Sequence, residues 1–168
     1  RIVERRDGRL AIGQADGIQA RSVETFQAFG FAGRITEEAY RITEMAFWKP
    51  DPVDHTRIAR AAVTADDPTG ISEFPHLIVN QARVLDYFAE YAANAPSRLR
   101  PDYGWEFRGL EVADGDHPVA VRLAGAGPDV ATERTVRAKY VLGADGARSA
   151  VRQSIGAVMA GDSANHAW

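Results

Sequence analysis

The chain has 168 residues, 45% of them hydrophobic and 26% charged, with a formal net charge of −3 and no cysteine. That length and composition suit one globular domain with a real core, and the weak negative charge with scattered arginines gives no support for nucleic acid or an anionic membrane as a partner. Without cysteine there is no disulfide framework, thiolate nucleophile or cysteine-ligated metal, which fits a reducing cytoplasm; His55, His76, His117 and His166 lack metal-ligand spacing, and neither a signal peptide nor a run long enough to span a bilayer is present.

Residues 1–5 read as the end of a strand, with Ile2 and Val3 leading to Glu4 and Arg5. No methionine opens the chain, and it closes on His166, Ala167 and Trp168, so both ends read as cuts through a longer protein. In dinucleotide-binding folds an acidic residue at a strand end accepts a hydrogen bond from a ribose hydroxyl. Glu4 has that setting; a solvated surface carboxylate is the alternative. The glycine-rich turn that would stand about twenty residues earlier in such a fold is not in this chain.

Gly13, Gln14, Ala15, Asp16 and Gly17 form a small-residue loop. The apolar spacing of Val23, Phe26 and Phe29 then predicts a helix, stopped at Gly30. Asp16 is either a functional carboxylate or a cap for that helix. A short helix is expected over residues 31–40, with Glu37 and Glu38 outward, and a strand over residues 40–49. Pro50 and Pro52 mark a loop, residues 57–65 a hairpin partner, and residues 66–70 a turn.

Pro75 fixes the loop that carries His76, residues 77–79 read as a short strand, and a helix runs from about Gln81 through Leu85, Phe88 and Ala92. His76 is either a substrate ligand or a satisfied loop histidine. A three-stranded meander is expected over residues 105–112, 119–123 and 135–142, with turns at residues 114–116 and 125–128. Within its last stretch, residues 140–142 read as a buried strand. Gly143, Ala144, Asp145 and Gly146 follow as a tight turn, and a helix is expected over residues 147–155. A helix start of this kind attracts anions; an ordinary strand-to-helix turn is the alternative.

The run Gly143, Ala144, Asp145, Gly146, Ser149 and Arg152 resembles the Asp-Gly fingerprint of the flavoprotein aromatic hydroxylases, the para-hydroxybenzoate hydroxylase superfamily. The loop at residues 13–17 and the helix start Asn80, Gln81, Ala82 and Arg83 resemble its phenol 2-hydroxylase and 3-hydroxybenzoate 4-hydroxylase subgroup. With Glu4, these matches keep the family order and span nearly the whole chain. The resemblance implies an α/β fold: part of a doubly wound FAD-binding core with an inserted β-rich substrate-binding region. It divides the chain into FAD-binding residues 1–39, substrate-region residues 40–79, FAD-binding residues 80–156 and the start of a substrate domain at residues 157–168.

The same resemblance implies Asp16 as the catalytic carboxylate near a phenolic hydroxyl and His76 as a substrate contact. It implies Glu4, Arg5, Gln14, Arg21, Gln81, Asp145 and Gly146 as cofactor-side residues, with the Asp145 turn also implicated in handling the nicotinamide. The implied reaction is hydroxylation of a phenolic substrate by FAD, NAD(P)H and O2 through a flavin hydroperoxide, in a cytoplasmic enzyme that forms a homodimer at full length. His76 and residues 158–168 favour the 3-hydroxybenzoate type. A related flavin monooxygenase acting on a polyketide, or a non-catalytic nucleotide-binding module, are the alternatives. These 168 residues alone are expected to aggregate and to hold FAD poorly, because a sheet cut at β-strand edges leaves them unpaired.

Overall fold

The computed structural model describes residues 1–126 and 132–164. In chain order the first elements are β1 (Ile2–Glu4), β2 (Gly17–Ile18), α1 (Ala20–Ala28), α2 (Ala32–Glu38), β3 (Tyr40–Arg41), β4 (Glu44–Pro50), β5 (Ile58–Ala65) and β6 (Leu77–Ile78). Then come α3 (Gln81–Asn94), β7 (Pro101–Tyr103), β8 (Trp105–Val112), β9 (Val119–Gly125), β10 (Glu133–Ala138) and α4 (Ala150–Ser154). They fall into two compact units, one spanning Arg9–Arg100 and the other joining Arg1–Gly8 to the chain from Pro101.

In the Arg9–Arg100 unit the core forms where three helices meet a small antiparallel sheet of order β2-β6-β3. Val23 and Phe26 on α1 and Ile35 on α2 are buried together with Phe31, Leu77, Val79, Val84 and Tyr87. Burial of each such side chain contributes about 1.5–3 kcal/mol. Phe31 stacks on Tyr87 at 5.2 Å and on Phe26 at 5.0 Å, and Phe88 meets Phe31 edge-on at 5.1 Å. These offset and edge-on geometries suit the ring quadrupoles.

α1 buries the face its spacing predicts. α3 differs: Ala82, Val84 and Tyr87 are buried, whereas Leu85 is exposed. Its sequence offers two apolar stripes, and the one through Val84, Tyr87, Phe88 and Tyr91 wins because it meets the aromatic stack. Glu38 is not simply outward. It accepts from Arg83 at 2.6 and 2.7 Å and from the Tyr87 hydroxyl at 2.5 Å, tying α2 to α3.

The strand expected over residues 40–49 is split. β3 pairs with β6, whereas β4 forms the expected hairpin with β5, with a register shift between Phe47 and Trp48. Residues 42 and 43 link β3 to β4. Ile42 N–H donates to the His76 carbonyl at 2.9 Å and the Thr43 carbonyl accepts from Asp66 N–H at 3.1 Å.

In the other unit β1 and β7 pair in parallel, with Glu4 beside Tyr103. The expected meander is present as an antiparallel sheet of order β10-β9-β8. Its third strand ends at Ala138. Residues 140–142 are not a buried strand: Tyr140 is 90% and Leu142 92% exposed. An apolar run becomes a strand only beside a partner that takes its backbone groups, and no strand among the described residues pairs with this one. α4 is shorter than expected because Ser149 caps it, its hydroxyl accepting from Arg152 N–H at 2.9 Å. Residues 127 and 128 of the expected turn, His166, and residues 165–168 of the expected substrate-domain start lie outside the described residues. Among the described residues no helix is long and apolar enough to cross a membrane.

Candidate functional site

The loop at residues 13–17 is moored by its backbone. The Asp16 carbonyl accepts from Val79 N–H at 2.9 Å, extending the β2–β6 ladder by one bond. Gln14 N–H donates to the Gln81 side-chain oxygen at 3.0 Å. Gly13 packs so closely on the start of α3 that a Cβ there would lie 2.5 Å from Gln81 Cβ and 2.8 Å from its backbone nitrogen. Only glycine permits that approach. Three successive parts of the loop are thus fixed against β6 and α3.

The Asp16 carboxylate leaves this frame exposed to solvent. It does not cap α1, whose N-cap residue is Gln19 with no side-chain cap bond. Its nearest described donor is Gln81 N–H, at a long 3.4 Å. Asn80 caps α3 instead, accepting from Ala82 N–H at 2.8 Å. The weak contact leaves the Asp16 lone pairs for another donor, so it can accept a proton from a substrate hydroxyl.

His76 stands beside the same loop. Its Nδ1 lies 3.0 Å from an Asp66 carboxylate oxygen, and both side chains are largely buried. Its Nε2 faces Gly17, 3.6 Å from where a Cβ on that residue would stand. Asp16, Gln14, Gln81 and His76 are therefore gathered around one short loop.

Arg21 sits in the first turn of α1 with its side chain 90% exposed and its guanidinium 2.9 Å from Glu24. The Ser72 hydroxyl and Arg21 together hold the Glu24 carboxyl below the usual carboxylate range.

In the unit containing the parallel pair, Glu4 stands at the end of β1, where α/β sheets bind ligands. One of its oxygens accepts from Arg6 N–H at 2.9 Å and the other from the Arg6 guanidinium at 3.2 Å. A carboxylate has about four acceptor sites, so capacity remains for a ribose hydroxyl. Arg5 is exposed beside it. Asp145 is more committed. It accepts from the Ser149 hydroxyl at 2.5 Å and from Val151 N–H at 3.1 Å. Ser149 leads the interactions that hold its carboxyl below the usual range. Gly146 has φ +80°, a conformation that makes the turn and favours glycine. No hydrogen bond among the described residues joins Glu4 to Asp145.

Two features escaped the sequence reading. Asp66 passed for an ordinary turn residue, and the mooring role of Gln81 depends on contacts 67 residues apart. Neither leaves a local sequence signal.

This chain is 48% identical to 3-hydroxybenzoate 4-monooxygenase of Comamonas testosteroni over 99% of its own length and 27% of that protein. It is 37% identical to the FAD-dependent monooxygenase terD of Aspergillus terreus, over 100% of this chain and 28% of that one. It thus spans little more than a quarter of these relatives. Its fold matches p-nitrophenol 4-monooxygenase PnpA from Pseudomonas putida DLL-E4 with a TM-score of 0.74 at 20% identity, over 92% of this chain and 36% of that one. The resemblance read from the Asp-Gly run and the loop at residues 13–17 agrees with these relatives, and the mixed helix and strand architecture is that of part of an FAD-binding α/β core. The FAD binding domain family matches residues 1–168, and this chain belongs to it.

Proposed function

We propose that the full-length protein carrying this chain is an FAD-dependent monooxygenase that hydroxylates a phenolic ring with NAD(P)H and O2, of the 3-hydroxybenzoate type. The observation that carries this reading is the exposed Asp16 carboxylate on a loop held to β6 and α3, whose Gly17 end is faced by the Nε2 edge of His76. The 48% identity to a 3-hydroxybenzoate 4-monooxygenase supports it. Asp16 takes the proton of the phenolic hydroxyl, directly or through water, and so enriches the ring in electrons for attack on oxygen. His76 orients the substrate by a hydrogen bond from or to its ring.

The residues on the cofactor side fit FAD. Glu4 retains acceptor capacity for a ribose hydroxyl, with Arg5 beside it. Asp145 and Gly146 build the turn toward the pyrophosphate and nicotinamide side. Gln14 and Gln81 present the loop to the flavin, and Arg21 supplies an exposed cation for a phosphate. Bound FAD supplies the redox and oxygen chemistry. On this reading residues 1–39 and 80–156 serve FAD, residues 40–79 serve the substrate, and residues 157–168 begin a further substrate region. The enzyme is cytoplasmic and a homodimer.

The test is product formation by the full-length protein with 3-hydroxybenzoate, phenol and a polyketide phenol. Asp16→Ala is expected to cut hydroxylation by about a hundredfold or more, the scale of a lost proton acceptor, while flavin absorbance persists. Unchanged turnover in the variant sinks the assignment of Asp16.

A further inference from the structure

We propose that Asp66 is a positioning residue for His76, fixing the ring so that Nε2 is the atom offered to the substrate. The inference rests on the reading of His76 as a substrate contact and extends it to a residue outside the loop and helix motifs.

The geometry has three parts. The Asp66 carboxylate lies 3.0 Å from Nδ1, with 13% of its side chain and 14% of that of His76 exposed. A carboxylate only accepts hydrogen bonds, so the bond places the ring proton on Nδ1 and leaves Nε2 to the other side. That side is the Gly17 end of the loop that carries Asp16.

Both partners are held by backbone bonds. Asp66 N–H donates to the Thr43 carbonyl at 3.1 Å, and the His76 carbonyl accepts from Ile42 N–H at 2.9 Å. Consecutive residues of the β3–β4 link therefore fix the two ends of the pair. A ring held at Nδ1 by a carboxylate, with the backbone of both residues bonded to the β3–β4 link, keeps one orientation, as a binding group must.

The experiment uses the full-length flavin-loaded protein and compares Asp66→Ala, Asp66→Asn, Asp66→Glu and His76→Ala with the double variant Asp66→Ala/His76→Ala. Flavin content, kcat and KM for the phenolic substrate are measured. Asp66→Ala is expected to raise KM about tenfold, the scale of losing a charged hydrogen bond, with a smaller change in kcat and full flavin content. The double variant should be no worse than His76→Ala, because Asp66 acts only through that ring. Asp66→Glu should restore part of the loss. Should Asp66→Ala fail to fold, Asp66→Asn carries the test: its amide can donate to Nδ1, admits the opposite tautomer and raises KM.

Additive effects in the double variant, or an unchanged KM in both Asp66→Ala and Asp66→Asn while His76→Ala raises it, overturn the role of Asp66 and leave His76 standing. An unchanged KM in His76→Ala overturns the underlying reading of His76 instead.

Discussion

The side-chain oxygen of Gln81 accepts the backbone N–H of Gln14 at 3.0 Å. The first residue of α3 thereby holds the loop that carries Asp16, across 67 residues of sequence. Its own N–H faces the Asp16 carboxylate. Replacing Gln81 with Ala removes the side-chain acceptor and leaves the helix intact, since Asn80 still caps it. The expected loss is about 1 kcal/mol of stability, the net worth of one neutral hydrogen bond, with faster proteolysis in residues 13–17. Urea unfolding and limited proteolysis of the full-length protein measure both. An equally protected loop in Gln81→Ala argues against the mooring.

Gly13→Ala is expected to be worse than Gln81→Ala, although it deletes nothing. A Cβ at that position meets Gln81 Cβ at 2.5 Å and the Gln81 backbone at 2.8 Å. Because backbone is among the atoms met, the loop must move rather than a flexible side chain. Pairing Gly13→Ala with Gln81→Gly removes the contact to Cβ but keeps the one to backbone, so rescue should be partial at most. Thermal unfolding of the two variants tests this, and a full recovery in the double variant would place the conflict at the side chain alone.

What the sequence made legible was whatever depends on neighbouring residues. Val23 and Phe26 mark the buried face of α1 by their spacing, and the turns around residues 114–116 and at Pro52 bracket strands close to those observed, although Pro50, expected in the loop, is the last residue of β4 and pairs with Ile58. The candidate site was legible at Asp16, Gln81 and His76 because motif-like runs surround them. Residues 140–142 misled, because apolar character says a strand wants a partner and cannot say that one is there. Asp66 was illegible for the same physical reason. Its meaning lies in the bond to His76, set by the hairpin and the β6 sheet rather than by its own turn.

Glu4 and Asp145 should respond differently to replacement. Glu4→Ala removes an acceptor at the end of β1 with capacity to spare and is expected to weaken FAD binding about tenfold, with little change in stability. Asp145 has an oxygen on Ser149 and another on Val151 N–H. Asp145→Ala should therefore cost about 1 kcal/mol as a lost cap-type contact, and Asp145→Asn less. Flavin titration and denaturant unfolding of the full-length variants separate the two effects. Equal flavin affinity in wild type and Glu4→Ala would remove Glu4 from the cofactor side.

The contact of Glu38 with Arg83 and Tyr87 predicts a specific acid response. Hydrogen bonds from Arg83, then from Tyr87, hold the Glu38 carboxyl down to about 2, from an ordinary value of 4.5. A carboxyl depressed in the folded state stabilises it fully above its unfolded value and loses that contribution as pH falls through the folded one. The window is therefore between about 4.5 and 2. Several other carboxyls are also depressed, Glu24 and Asp145 among them, so the wild-type profile is a sum and the comparison must be with a variant. Glu38→Gln keeps the shape and can still accept from the Tyr87 hydroxyl, but it cannot titrate. It should be less stable than the wild type at neutral pH, and the difference should shrink as pH falls through the window. The group is partly open to solvent, so added salt should narrow the neutral-pH gap as well. Denaturant unfolding of both proteins at a series of pH values from neutral downward measures it, and a gap that stays constant to the acid end would show that the Glu38 charge contributes nothing to holding α2 against α3.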